Sequence, residues 1–308
     1  MKKDLKAIAE KKLSKEQSEL EIKTHFNNPA LGKSKHTVII GDSRKMKSVP
    51  DNSVHLVVTS PPYFNAKDYS SWPTVEDYLK DMEATFAECF RALDSGRKLC
   101  LNISDLPEKG ESGVRWIPLA SELLRVCQKL GFELVDRVIW FKTPMKGFQY
   151  GSLPYPPSPL ICDSMEYVFI LRKPKYVKVD YGHLTKLQKE ASRLTRGEYA
   201  EYTKQIWTMR RVRIKGNEDG HIAPFPDELP HRCIKLYSFV GETVLDPFGG
   251  SGTTTKMAIL NKRNSILYEI KKDYLKHIEE KIGLRGSKQG LLQDDPVGQA
   301  EIKISYEE

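Results

Sequence analysis

Two short stretches carry residues whose types and spacing can do chemistry. The first, TSPPY at 59–63, places Ser60, Pro61, Pro62 and Tyr63 directly after the run Val54-His55-Leu56-Val57-Val58. Each proline fixes φ and restrains the residue before it, so the strand must end in a stiff corner. That corner offers a hydroxyl oxygen, a proline carbonyl and an aromatic face. The second stretch, VLDPFGGSGTTTKMAILNKRNSILYEI at 244–270, runs from an apolar strand through a glycine cluster and a helix to a second strand ending in Glu269. Glycines let a ligand approach the backbone closely, and an acid about twenty residues beyond Asp246 suits the ribose hydroxyls of a nucleoside cofactor. What the turn lacks narrows the choice. Thr253, not lysine, follows Gly252, which removes a P-loop, and the third glycine of a dinucleotide fingerprint is missing. An acid at the strand tip repels a pyrophosphate but can accept from an ammonium, such as that on the methionine part of S-adenosylmethionine.

With these residues in view, the chain resembles the DNA amino-methyltransferases, which methylate exocyclic amines of cytosine or adenine. DPFGGSGTT is similar to their cofactor motif and TSPPY to their catalytic motif; GDS at 41–43, VIWFK at 138–142 and HIAPFPDELPHRCI at 221–234 match further segments. The similarity covers about residues 36–280, and the catalytic motif precedes the cofactor motif, as in the permuted β class. It implies Asp42, Phe225, Asp246, Phe248, Gly250, Gly252, Thr253 and Glu269 as cofactor-binding residues, with Asp42 on the adenine amine and Phe225-Pro226 covering the methionine end. It implies no metal, a Trp140 segment near the target base, a homodimer in many members, and a cognate restriction endonuclease as a partner to look for.

The amine of an aromatic base is a poor nucleophile because its lone pair is delocalised into the ring. Acceptors on both N–H groups favour a pyramidal nitrogen whose lone pair points outward, and Ser60 Oγ with the Pro61 carbonyl can supply them. Tyr63 offers a face for an extruded base, since the amine is out of reach inside a duplex. Methyl transfer from a sulfonium needs alignment more than acid–base power. Methylation at carbon 5 of cytosine would use a cysteine in a Pro-Cys context, and none of the five cysteines follows a proline.

Elements that position these residues follow from periodicity. Strands are expected at 37–40, 54–59, 98–103, 133–141, 166–171, 243–245 and 265–268, with helices over 75–93, 116–130 and 254–260. Alternation of strands and helices predicts an α/β, doubly wound and mainly parallel sheet of the Rossmann-like methyltransferase type, with ligands at the strands' carboxyl ends. The expected organisation is a polar N-terminal arm over 1–35, a catalytic domain over 36–285 that includes a loop and target-recognition region at about 144–220, and a disordered tail over 286–308.

The net charge of +8 is concentrated: between Arg172 and Lys215 thirteen Lys and Arg residues face four acids, with tyrosines and Trp207 interleaved. Such a face attracts a polyanion with stackable bases, here double-stranded DNA, and singles out Lys173, Lys175, Arg193, Arg196, Arg210, Arg211 and Arg213. A solvated helical face accounts for the same count equally well. The scattered, odd-numbered cysteines suggest reduced packing residues, and the charged N-terminus and lack of long apolar stretches suggest a cytoplasmic protein with no membrane partner. The leading expectation is thus a sequence-specific DNA methyltransferase acting through S-adenosylmethionine. The serine variant of the catalytic motif leans, by the resemblance, toward N4 of cytosine, with N6 of adenine the alternative. An RNA methyltransferase and a catalytically silent nucleic-acid-binding protein are the competing readings.

Overall fold

The computed structural model describes residues 15–65, 71–110, 113–143, 161, 163–174, 181–212, 225–284 and 300–307. A helix, α1, occupies 15–26, on the arm expected to be mobile or a peripheral helix. Nine strands among the described residues form one sheet in the order β11-β1-β10-β9-β2-β3-β7-β6-β8. Their ranges are β1 (Ser34–Ile40), β2 (Val54–Thr59), β3 (Leu93–Ile103), β6 (Glu133–Thr143), β7 (Met165–Arg172), β8 (Ile206–Arg210), β9 (Thr243–Asp246), β10 (Asn264–Glu269) and β11 (Ala300–Tyr306). Of these nine, only β7 runs against its neighbours, pairing antiparallel with both β3 and β6. A small hairpin of β4 (Leu106–Gly110) and β5 (Gly113–Ile117) follows β3.

Strand β2 is buried on both faces, as a central parallel strand must be. Its alternation divides the core. Val57 packs with Leu99, Leu101 and Leu245 on the face covered by α2 (Val75–Ala92) and α3 (Leu119–Lys129). Leu56 and Val58 pack with Val244 on the other face, under α6 (Glu228–Tyr237) and α7 (Thr253–Leu260). Helix α2 begins where Thr74 accepts from the Asp77 amide and buries Tyr78, Met82, Phe86 and Cys89, a helical stripe facing the sheet. Helix α6 was not anticipated in its proline-bearing segment; Pro230 lies in its first turn, where a missing N–H is harmless.

The reversal of strand order falls between β9 and β2, which pair through Leu56↔Val244 and Val57↔Leu245. In doubly wound sheets ligands enter the crevice at this switch point. Four strands end there, at Asp42 after β1, Glu269 in β10, Asp246 in β9 and Ser60 after β2.

Two expectations need correction. Residues 300–306, expected to be disordered tail, form β11, parallel to β1 along its whole length; the half-buried alternation of an edge strand needs few apolar residues. Trp116, expected at the start of a helix, lies in β5 opposite Pro107, and α3 starts only after Pro118. A shorter and later α3 follows from the hairpin claiming that segment. Cys89, Cys100, Cys127 and Cys233 are buried free thiols, while Cys162 lies outside the described residues.

Candidate active site

A cavity of about 640 Å³ opens at the switch point, within the range of small-molecule sites. Ser60, Pro61, Pro62 and Tyr63 line one part; Asp42, Phe225, Asp246, Phe248, Gly250, Thr253 and Glu269 line the other. Gly252 is not among the lining residues; it takes the left-handed conformation at the start of α7 (φ 84°) and faces Ile278. Gly249 must be bare for another reason: a β-carbon there would lie 2.3 Å from Leu267 Cγ.

The two turns are physically joined. Thr59 Oγ1, one residue before Ser60, donates to Asp246 Oδ1 at 2.7 Å across the switch point. The Phe248 amide donates to the same oxygen at 3.2 Å. Asp246 is only 2% exposed, and burial raises its pKa despite the hydroxyls of Thr254 and Thr59, which oppose the shift. The Asp246 carboxylate therefore does more than the sequence suggested, since it fastens the tip of β2 to the glycine turn. Glu269 accepts from the Gly250 and Lys271 amides, both at 2.9 Å, and burial raises its pKa as well. Two backbone donors leave each of its oxygens a lone pair for a ligand hydroxyl.

Asp42 is held differently from the expectation of a carboxylate open to a ligand amine. Arg44 grips it through Nη2 at 2.7 Å and through Nε, and reaches Asp81 through Nη1 at 2.6 Å. The Arg44 guanidinium keeps the Asp42 carboxyl below its ordinary range. Trp72 Nε1 donates to the other Asp81 oxygen at 2.9 Å, so Arg44, Asp81 and Trp72 form a rim over this end of the cavity.

Around Tyr63 lies a polar network that sequence reading missed. Tyr63 Oη donates to Glu166 Oε2 at 3.1 Å and accepts from the Ser104 amide at 3.1 Å. Asn102, 1% exposed, donates to the same Glu166 oxygen at 2.9 Å. Lys142, also buried, meets Glu166 Oε1 at 3.2 Å and Asp163 Oδ2 at 3.1 Å. Burial and the Glu166 charge push the Tyr63 phenol well above its ordinary pKa, so it stays a neutral donor. These polar residues sit on strands that read as core. Trp140 is buried beside them, its indole donating to the Met209 carbonyl at 3.1 Å.

The basic segment divides. Arg210 and Arg211 follow β6 and β8 to their carboxyl ends, where Arg211 lines the cavity and donates to the Asp163 carbonyl at 2.9 Å. Lys173 is at the opposite end of the strands, where β2 and β3 begin, donating to the Leu93 carbonyl at 2.7 Å and to Asn52 at 2.8 Å. Arg193 belongs to that end too. It pairs with Glu190 in α4 (Lys186–Ala191), and the Val240 amide before β9 donates to the adjacent Ser192. Lys173 and Arg193 therefore lie apart from Arg210. The antiparallel course of β7 carries Lys173 away from the cavity. Arg196 is exposed at the start of α5 (Arg196–Tyr202); Lys175 and Arg213 lie outside the described residues. His55, His183 and Glu242, a grouping with ligand atoms within 4.8 Å of one another, also occupy that far end of the strands. There the Glu242 carboxylate is already taken by buried Arg97. Among the described residues no helix is long and apolar enough to cross a membrane.

Comparison with known proteins gives a consistent family. A model of the N6/N4 DNA methylases matches residues 54–280. Type II methyltransferase M.MjaI of Methanocaldococcus jannaschii is 34% identical over 292 residues, covering 83% of this chain and 94% of that protein. Type II methyltransferase M.MthZI of Methanothermobacter thermautotrophicus is 29% identical over 277 residues, covering 81% and 77%. A protein of Thermus thermophilus solved in complex with S-adenosyl-L-methionine superposes with a TM-score of 0.70 at 29% identity, covering 89% of this chain and 99% of that one. The cytosine-N4-specific PvuII DNA methyltransferase shares the fold, with a TM-score of 0.61 at 19% identity and coverage of 88% and 97%.

Proposed function

The chain belongs to the N6/N4 family of DNA methylases, and from that premise we propose that it moves a methyl group from S-adenosylmethionine to the exocyclic amine of a flipped base in duplex DNA, with N4 of cytosine the preferred target. The observation that carries this reading is the meeting of the Ser60–Tyr63 corner and the glycine turn in one cavity, fastened by the 2.7 Å bond from Thr59 to Asp246.

The donor supplies an electrophilic methyl on a sulfonium. Glu269 accepts from its ribose hydroxyls, and the glycine turn lets it lie close to the backbone. Asp246 accepts from its ammonium, an interaction strengthened because the carboxylate is held away from water. Asp42 borders the adenine end, shared with Arg44. Ser60 Oγ and the Pro61 carbonyl accept from the amine's two N–H groups and turn its lone pair toward the methyl. The nitrogen forms the new N–C bond, the C–S bond breaks, and the amine's extra proton leaves to water. Tyr63, fixed by Glu166 and the Ser104 amide, presents its ring to the base.

Preference for cytosine rests on serine, rather than aspartate or asparagine, at the head of the corner, following the family resemblance. Arg210 and Arg211, beside the cavity, suit the DNA backbone. The domain plan proposed is a catalytic unit over 36–285 with its recognition region at about 144–220. A homodimer and a paired restriction endonuclease belong to the proposal as partners. The test is transfer of labelled methyl from S-adenosylmethionine to duplex DNA, compared with RNA and with no nucleic acid. Label on duplex DNA alone is expected. Label on RNA alone would move the substrate, and none on either would leave a silent nucleic-acid-binding protein.

A further inference from the structure

Strand β11 adds an outer edge to the sheet, beyond β1, and ends beside the cavity. Its ladder with β1 runs from Ser34↔Ala300 to Ile40↔Tyr306, and the Glu307 amide extends it by donating to the Ile40 carbonyl at 3.0 Å. Glu307 thus arrives next to Gly41 and Asp42. Gly41 admits it: a β-carbon there would lie 3.1 Å from both the β-carbon and the carbonyl oxygen of Glu307.

The Glu307 side chain has two partners on two elements that shape the cavity. Oε2 accepts from Tyr268 Oη at 2.9 Å, and Oε1 accepts from the Ser48 amide at 3.1 Å. Tyr268 lines the cavity from β10, one residue before Glu269. Ser48 lies in the loop that starts at Gly41 and carries Asp42 and Arg44; its hydroxyl lies 3.3 Å from Tyr268 Oη. The loop's other side is fastened to α2, where Glu88 accepts from the Met46 amide at 2.9 Å and Arg91 donates to the Met46 carbonyl at 2.9 Å. The Glu307 carboxylate bonds both the loop and Tyr268, and the longer Ser48 Oγ–Tyr268 Oη contact runs beside it.

We infer that Glu307 is a positioning residue for the methyl donor: through Tyr268 and Ser48 it holds the Asp42 loop and the end of β10 in the arrangement that receives the donor's nucleoside. The inference rests on reading the cavity as the donor site. Its signature is a loss of donor affinity without loss of turnover once the donor is saturating, because Ser60 and Pro61 are on another strand.

The test is calorimetric titration of the full chain with S-adenosylmethionine and S-adenosylhomocysteine, paired with turnover on duplex DNA. Glu307→Ala is expected to raise the donor Kd about tenfold, the effect of losing hydrogen bonds to a charged acceptor, with kcat at saturating donor changed less than twofold. Tyr268→Phe keeps the ring in the core and removes one of the two links, so it should raise Kd in the same direction; it carries the test if Glu307→Ala misfolds. The double variant should fall short of additivity, since both changes remove the Tyr268–Glu307 bond, although Tyr268→Phe also takes away the Ser48 hydroxyl's partner. A Kd within twofold of wild type for both single variants overturns the inference, as does a fully additive double variant or a kcat falling in step with affinity. Wild-type protein that binds neither compound would sink the donor-site reading itself. Wild-type binding with unmoved variants sinks this inference alone.

Discussion

Asp246→Asn separates the two tasks assigned to the buried carboxylate. The substitution keeps shape, and an amide oxygen can still accept from Thr59 Oγ1 and the Phe248 amide, now at 2.7 and 3.2 Å from Oδ1. What disappears is the charge. Burial raises the Asp246 pKa, so the folded protein favours the protonated form. The associated stability is complete below the unfolded pKa and is lost as pH rises through the folded one. At neutral pH the ionised group therefore costs stability, and the asparagine variant should unfold at the same or a higher temperature than wild type. Donor binding should move the other way. Losing a hydrogen bond between ammonium and carboxylate costs about 1.5–3 kcal/mol, or roughly 10- to 100-fold in Kd. The pH profile adds a second signature. Wild-type donor affinity should fall as pH drops into the raised range of Asp246, and the asparagine variant should lose that component. Calorimetric titration and thermal unfolding across pH measure both. An unchanged donor Kd, with DNA binding lost instead, would refute the assigned role, and a lower unfolding temperature would refute the account of its burial.

Ser60→Ala should lower kcat about 10- to 100-fold with donor Kd near wild type, because the lost oxygen acts on the amine; equal loss of donor affinity in titration would count against it. Lys142→Met strands Glu166 and Asp163 without their buried partner. A loss of about 3 kcal/mol, seen as a melting point lower by roughly 5 °C, is expected, and an unmoved melting point would contradict the network. Arg210→Ala with Arg211→Ala should reduce the slope of log affinity for DNA against log salt by about one per lost phosphate contact. Arg193→Ala, at the far end of the strands, should leave that slope alone, and the reverse pattern would place the DNA elsewhere.

Strand ends were legible where sequence carries its own punctuation. β2 is a nearly unbroken apolar run stopped by two prolines, and β9 and β10 bracket a glycine cluster that marks a tight, closely packed turn. The partners of Tyr63 were not legible. Asn102, Lys142 and Glu166 sit singly in strands dominated by apolar neighbours, and their meeting depends on β3, β7 and β6 lying side by side, an order that no local spacing encodes. Charge counting grouped Lys173 with Arg210 although the fold separates them: composition carries no strand direction, and β7 runs opposite to β3. Strand β11 was overlooked because an edge strand needs only a half-buried alternation, which a polar tail can satisfy. Asp42 and Asp246 were recognised by position, but their partners Arg44 and Thr59 became visible only when the loop after β1 and the switch point took shape.

The most direct measurement is nucleoside mass analysis of duplex DNA after incubation with the protein and isotopically labelled S-adenosylmethionine. Label is expected on the exocyclic nitrogen, as N4-methylcytosine. N6-methyladenine would keep the amine chemistry of the Ser60 corner and change the base. Label on carbon 5 of cytosine would contradict the account, because that reaction has no use for paired acceptors around an amine.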